Sequence, residues 1–281
     1  MLKIENIEVM GWEAAIRGMR NPMNSWEQSD SGHCHKDLAR DCVTCIHRDT
    51  GYSACTTGHF DVGPRDYDLM TRLRNAGTDH RKFMRMIAVY VDITAPFYWW
   101  KEYDTYKVGT VANSCSTMHK IADKEFTAED FSCEHLDDIW GYEPEVRDIA
   151  PTIEFETRTE TINNYLLGPD DILNLTIKML NRCRDLYLMA DKNLKKPGLT
   201  ENERKHITAQ RKVYWWQMIQ LLPSSYNQRR TVMLNYEVLA NIYKSRRNHK
   251  LDEWHTLCDW IKTLPYSELI TGIFDEPEEK K

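Results

Sequence analysis

No uncharged apolar run in this 281-residue sequence approaches the roughly 18 residues that a membrane-spanning helix needs. The opening stretch MLKIENIEVMGWEAAIRGMR has no apolar signal core. A cytoplasmic protein with no membrane partner is therefore expected. Positive charge is also in short supply: 37 Lys and Arg stand against 43 Asp and Glu, a formal net charge of −6. That balance exerts no global pull toward nucleic acid or an anionic lipid surface. There is no G-x-G-x-x-G, no phosphate-binding loop and no G-x-S-x-G, so the common dinucleotide, nucleoside triphosphate and serine hydrolase readings have no motif to stand on. Internal repeats are lacking too.

What is present is ordinary globular material, 41% hydrophobic and 28% charged, in a chain long enough to bury a substantial core. Residues 2–10 alternate like a strand and Trp12 to Arg20 reads as a short helix. From Asn21 to about Pro64 the pattern dissolves into Pro, Asn, Ser, Gly, His and Cys, which marks an insertion over 21–64. RDYDLMTRLRNAG has helical spacing with Gly77 as a stop, and FMRMIAVYVDIT reads as a strand. Pro96 is then expected to open an aromatic helix. The second half is largely helical. One helix carries Ile172, Leu173, Ile177, Leu180, Cys183 and Leu186 on a face, a second begins at the cap candidate Thr200 and ends at Pro223, and NYEVLANIYKSRR and LDEWHTLCDWIKTL follow. Residues 275–281 read as a disordered tail. The order predicts one α+β domain over 1–281, with a small, mostly antiparallel sheet and a helical C-terminal half.

Four of the eight cysteines fall between Cys34 and Cys55. Cys42, Cys45, Cys55 and His59 have the spacing C-x2-C-x9-C-x3-H, which suits a closed, structural Cys3His zinc site. Cys34, His35 or His47 can each replace one ligand, and a loop of reduced thiols is the alternative. The segment has too few large apolar residues to form a core, so metal binding would supply its folding energy.

Residues 103–119, YDTYKVGTVANSCSTMH, are dense in hydroxyls and amides directly behind Trp99 and Trp100. Buried polar groups need partners, and a small polar ligand could supply them. A solvated connection is the plainer reading.

LLPSSYNQRRTVMLNYEVLANIYKSRRNHKLDEWH resembles the C-terminal substrate-binding segment of flavin-dependent thymidylate synthases, the thymidylate synthase-complementing family. The matching positions are Leu222-Pro223, Tyr226, Asn235, Asn241 and Arg246. The family's second signature, Arg-His-Arg followed by Ser, Asn-Glu, Ser and Arg, falls on the polar stretch. Ala95-Pro96 stands at the matching distance upstream, and Thr110, Asn113 and Ser116 match the first Ser, the Asn and the later Ser once one inserted residue is allowed. The resemblance covers roughly residues 67–120 and 210–260. It implies a thymidylate synthase-complementing-like fold and a methyltransferase reaction. In that reaction reduced FAD mediates one-carbon transfer from methylenetetrahydrofolate to C5 of dUMP, NADPH is the reductant, and no protein nucleophile attacks the ring. It also implies a homotetramer. By the same resemblance Arg246, Ser116, Asn113 and Thr110 would bind a pyrimidine deoxynucleotide, and His80, Lys107, Asn235 and Asn241 would approach the flavin. The departures are plain. Thr105, Tyr106 and Lys107 stand in the Arg-His-Arg places, and a lysine cannot reproduce a guanidinium's two-pronged grip on phosphate. A non-catalytic nucleotide-binding or interaction protein on the same fold is the second reading.

Overall fold

The computed structural model describes residues 2–33, 60–136 and 168–272. The N-terminal alternation forms strand β1 (Lys3–Met10), followed by helix α1 (Trp12–Arg20). Gly11 joins them at φ 98°, and a Cβ there would lie 2.1 Å from the Met86 carbonyl oxygen, so only glycine fits this passage. Trp12, Ala15, Ile16 and Met19 recur at helical spacing and are buried together. A short antiparallel pair, β2 (Gly32–His33) with β3 (Phe60–Asp61), precedes α2 (Pro64–Asn75).

The expected strand around Val89 is present as β4 (Ala88–Pro96), while Arg81–Met86 before it winds into a 3-10 helix. Pro96 closes the strand and does not open the helix; α3 spans Phe97–Tyr103. A proline at a strand end forfeits no ladder bond, and the next residue takes over the pairing, Phe97 N donating to the Tyr226 carbonyl at 3.1 Å. There follow β5 (Val111–Ser114), α4 (Thr117–Lys120), α5 (Pro169–Leu194), α6 (Glu201–Leu221), β6 (Asn227–Asn235), α7 (Tyr236–Arg246), α8 (Asp252–Lys262) and α9 (Glu268–Thr271). The main sheet has the order β1-β4-β6-β5. Its central pair is antiparallel: Ile87 meets Tyr236, Asp92 meets Thr231, and Phe97 meets Tyr226. The fold is thus α+β, with a small sheet and a helix-rich C-terminal half.

The chain divides into two compact units. One draws on Thr94–Lys101 and Ser114–Arg229. Here α5 and α6 pack against each other over a core of Ile121, Ala122, Phe126, Phe131, Leu180, Cys183 and Met218. The buried face of α5 runs through Leu173, Ile177, Leu180 and Cys183 to Tyr187. Ile172 is half-exposed, a correction that follows from helical geometry, since it lies about 100° round from Leu173. Thr200 caps α6 as expected, in a reciprocal pairing with Glu203. Trp99 and Trp100 are fully buried, and Trp100 Nε1 donates to the Gln228 carbonyl at 2.9 Å.

The second unit draws on Leu2–Ile93, Glu102–Asn113 and Arg230–Lys281. Its core includes Met70, Met84, Val89, Val91, Ile93, Leu234, Leu239, Ile242, Trp254 and Ile261. Cys42, Cys45, Cys55 and His59, with Cys34, His35 and His47, lie outside the described residues, as do 275–281. Among the described residues no group of three His, Cys, Asp or Glu is placed to hold a metal ion.

Candidate functional site

Helix α7 is the site's foundation, and it is immobilised on nearly every side. Tyr236, Val238, Leu239, Ala240, Ile242 and Tyr243 are all buried. At its start the Asn235 side-chain oxygen accepts from Val238 N at 3.0 Å, an N-cap. At its end Arg246 is held in a polar and aromatic box. Its Nη1 donates to Glu102 Oε2 at 2.7 Å and its Nε to the Tyr106 hydroxyl at 3.0 Å. The guanidinium lies 4.6 Å from the Trp254 ring centroid, within cation–π range. Trp254 is fully buried on α8 and donates its Nε1 to the same Glu102 oxygen at 3.0 Å. His249 Nε2 stands 3.4 Å from that oxygen as well. Glu102 Oε2 is the hub around which the box is built.

The segment from Tyr106 to Thr110 lies along α7. Tyr106 meets Arg246 at the helix end, and Gly109 sits at its start with φ 78°, where a Cβ would be 3.0 Å from Asn235 Nδ2 and 3.2 Å from Val238. Both the positive φ and the close approach call for glycine. Thr110 Oγ1 donates to the Tyr106 carbonyl at 2.5 Å and closes the loop on itself. The spacing of Asn235 and Arg246, eleven residues or about three turns, puts both on the side of α7 that this loop covers.

The other sequence candidates fall differently. Lys107 and Asn113 are exposed in and just after the loop, and Asn241 is exposed on α7. Ser116 belongs to the other unit, where its hydroxyl caps α4 by accepting from His119 N at 3.1 Å. His80 is exposed and lines an open groove of about 1490 Å³ with Met19, Arg65, Lys82, Phe83 and Met86; none of the other candidates borders that groove among the described residues. Of the eight nucleotide and flavin candidates, then, five lie on α7, its cap or its covering loop: Arg246, Asn235 and Thr110, with Asn241 and Lys107 exposed. Glu102, Tyr106, His249 and Trp254 complete the box, and sequence reasoning assigned none of them to it. The available signal was a carboxylate near the end of a largely aromatic helix. Nearby, Cys258 on α8 offers no nucleophile near neutral pH, because burial pushes its thiol up to about 11.

No protein-family model matches the sequence, and no curated protein matches it. In three dimensions the chain is similar to two crystal structures of the flavin-dependent thymidylate synthase ThyX of Helicobacter pylori, each with FAD and dUMP. The first is matched with a TM-score of 0.53 at 14% identity, over 98% of this chain and 100% of the other. The second is matched with a TM-score of 0.52 at 14% identity, over 96% and 99%. At that identity the likeness establishes a shared fold along the length of both chains.

Proposed function

We propose that the chain is a flavin-dependent thymidylate synthase-like enzyme, binding a dUMP-type nucleotide and transferring a one-carbon unit from methylenetetrahydrofolate to its C5. The observation that carries this reading is the whole-length likeness to a ThyX that holds FAD and dUMP, found for a chain whose own residues independently resemble that family's nucleotide segments. Arg246 would anchor the nucleotide phosphate; its rigid placement at the end of a buried helix favours a planar, two-pronged contact. Asn113 and Thr110 would line the nucleotide. A homotetramer, NADPH as reductant and a cytoplasmic setting belong to the same proposal, as does a structural zinc at Cys42, Cys45, Cys55 and His59, for which elemental analysis should find about one equivalent per chain.

The residues suit the nucleotide better than the flavin. FAD would supply electrons in such a reaction, and His80, Lys107, Asn235 and Asn241 are the residues that would hold it. Yet the Asn235 oxygen is engaged in capping α7, the Tyr106 hydroxyl accepts from Arg246, and Lys107 is the sole cation in the Thr105-Tyr106-Lys107 triplet. One exposed ammonium is a weak grip on two phosphates. This favours a second reading, a nucleotide-binding protein without the redox chemistry. Purified protein with FAD and dUMP added separates the readings. Flavin absorbance retained after desalting, with a dUMP-dependent thermal shift, supports the enzyme. A dUMP shift without flavin supports the binder, and neither response defeats both.

A further inference from the structure

Arg246 already has an anion. Its guanidinium presents Nη1 to Glu102 Oε2 at 2.7 Å, the geometry that a ligand phosphate would need for itself. Three groups hold that oxygen in place: Arg246, the buried Trp254 indole N–H at 3.0 Å, and His249 at 3.4 Å. The box is not sealed, since the Arg246 side chain is 18% exposed and that of Glu102 35%. A dianionic phosphate approaching Arg246 must therefore displace the carboxylate or lie beside it and bear the like-charge repulsion.

We propose that Glu102 is a specificity-determining residue: a resident carboxylate that competes with phosphate for Arg246 and sets the site's preference between phosphorylated and unphosphorylated nucleosides. The proposal rests on the reading of Arg246 as the nucleotide anchor. It explains why a positively charged candidate site sits in a carboxylate-centred hub, and it assigns a function to a residue that neither the motif resemblance nor the likeness of fold singles out. Glutamine is the informative replacement. It keeps the side-chain length and an amide oxygen able to accept from Trp254 and Arg246, while removing the charge that opposes phosphate.

The test is calorimetric titration of dUMP and of deoxyuridine into the wild type, Glu102→Gln, Arg246→Ala and the double variant. Each protein is first checked by circular dichroism for native helix content. Glu102→Gln should bind dUMP at least roughly tenfold more tightly than wild type, the scale of removing one nearby like charge, with deoxyuridine unchanged. Adding Arg246→Ala should abolish that gain. Unchanged or weaker dUMP binding by Glu102→Gln overturns the proposal, because Glu102 then merely positions Arg246. If Glu102→Gln does not fold, Glu102→Asp takes its place: one methylene shorter, it cannot reach the guanidinium and should raise dUMP affinity to a lesser degree, and an unchanged affinity again overturns the proposal. If no variant and no wild-type sample binds either ligand, the nucleotide reading itself fails and this inference falls with it. Deoxyuridine binding in the wild type distinguishes those two failures.

Discussion

Two arginine–carboxylate pairs in one compact unit show how much the surroundings decide what an ion pair is for. Arg20 and Asp66 are 4% and 0% exposed, and each guanidinium nitrogen and both carboxylate oxygens have a hydrogen-bond partner. Asp66 accepts from Arg20 Nε, Ser29 Oγ and Ser31 Oγ, each at 2.6 Å, and from two backbone N–H groups at 3.2 Å. Arg20 donates further to the Ser25 and Gln28 carbonyls. Bonds from every guanidinium nitrogen and to both carboxylate oxygens pin the segment from Arg20 to Ser31 onto α2. Arg246 and Glu102 are instead half-open and bordered by aromatic rings. The first pair is architecture; the second keeps part of each charge open to solvent.

The largest effect should come from breaking the saturated pair. Asp66→Asn strands the Arg20 guanidinium in the interior without its counter-charge and should cost about 3–5 kcal/mol of stability, as buried pairs broken on one side do. Urea denaturation measures it, and a loss under 1 kcal/mol would contradict the structural assignment. The pair also has a pH signature. Burial alone would raise the Asp66 carboxyl, but the Ser29 and Ser31 hydroxyls and Arg20 more than offset it and hold the group below the ordinary range. A carboxyl depressed in the folded state contributes its full stability above its unfolded value, near 3.9, and loses it as pH falls through the lower folded value. The wild type should therefore show an acid-limb loss of stability that is flattened in Asp66→Asn.

Arg246→Ala should separate function from folding where Asp66→Asn cannot. Removing this guanidinium leaves Glu102 partly exposed and still paired with Trp254 and His249, so no charge is stranded in the core. Stability should fall by only about 1 kcal/mol, while nucleotide affinity should drop by roughly 2–3 kcal/mol, the scale of a charged hydrogen bond. Titration beside a thermal melt checks both numbers. A variant that unfolds, or one that binds dUMP like wild type, would place Arg246 with Arg20 among the structural arginines.

The sequence was legible where the physics is local. Caps, amphipathic stripes and helix-ending residues announced α1, α2, α6, α7 and α8, because each is fixed by neighbours within four residues. Strand β6, NQRRTVMLN, went unread: Gln228, Val232 and Leu234 alternate inward, but Arg229, Arg230 and Thr231 interrupt the apolar signal, and the partner strand β4 lies far away in sequence. β5 is exposed throughout and carries no alternation at all. The site shows the same division. Arg246 and Asn235 were visible through a motif and helical spacing, whereas Glu102 meets Arg246 across 144 residues and Trp254 across 152. No pattern in a single sequence encodes such pairings, which form only once the fold brings the elements together.

The smallest predicted effect sharpens the comparison most. Arg247 follows Arg246 at the C-cap of α7, about 100° round the helix, with its guanidinium 6.0 Å from the Tyr243 ring, the outer edge of cation–π range. It has the same charge and nearly the same place in the sequence as Arg246, but it is not the arginine that Glu102 and Tyr106 hold. If the box creates the site, Arg247→Ala should change nucleotide affinity by less than threefold, or about 0.6 kcal/mol, and stability by no more than a typical surface change. If the basic end of α7 attracts phosphate merely as a cluster of charge, Arg247→Ala should instead weaken binding as much as Arg246→Ala, and both losses should shrink together as salt is raised. Titrations of the two variants at low and high ionic strength distinguish these cases. A loss confined to Arg246→Ala and persisting at high salt identifies a held guanidinium; equal, salt-sensitive losses would reduce the site to a surface potential.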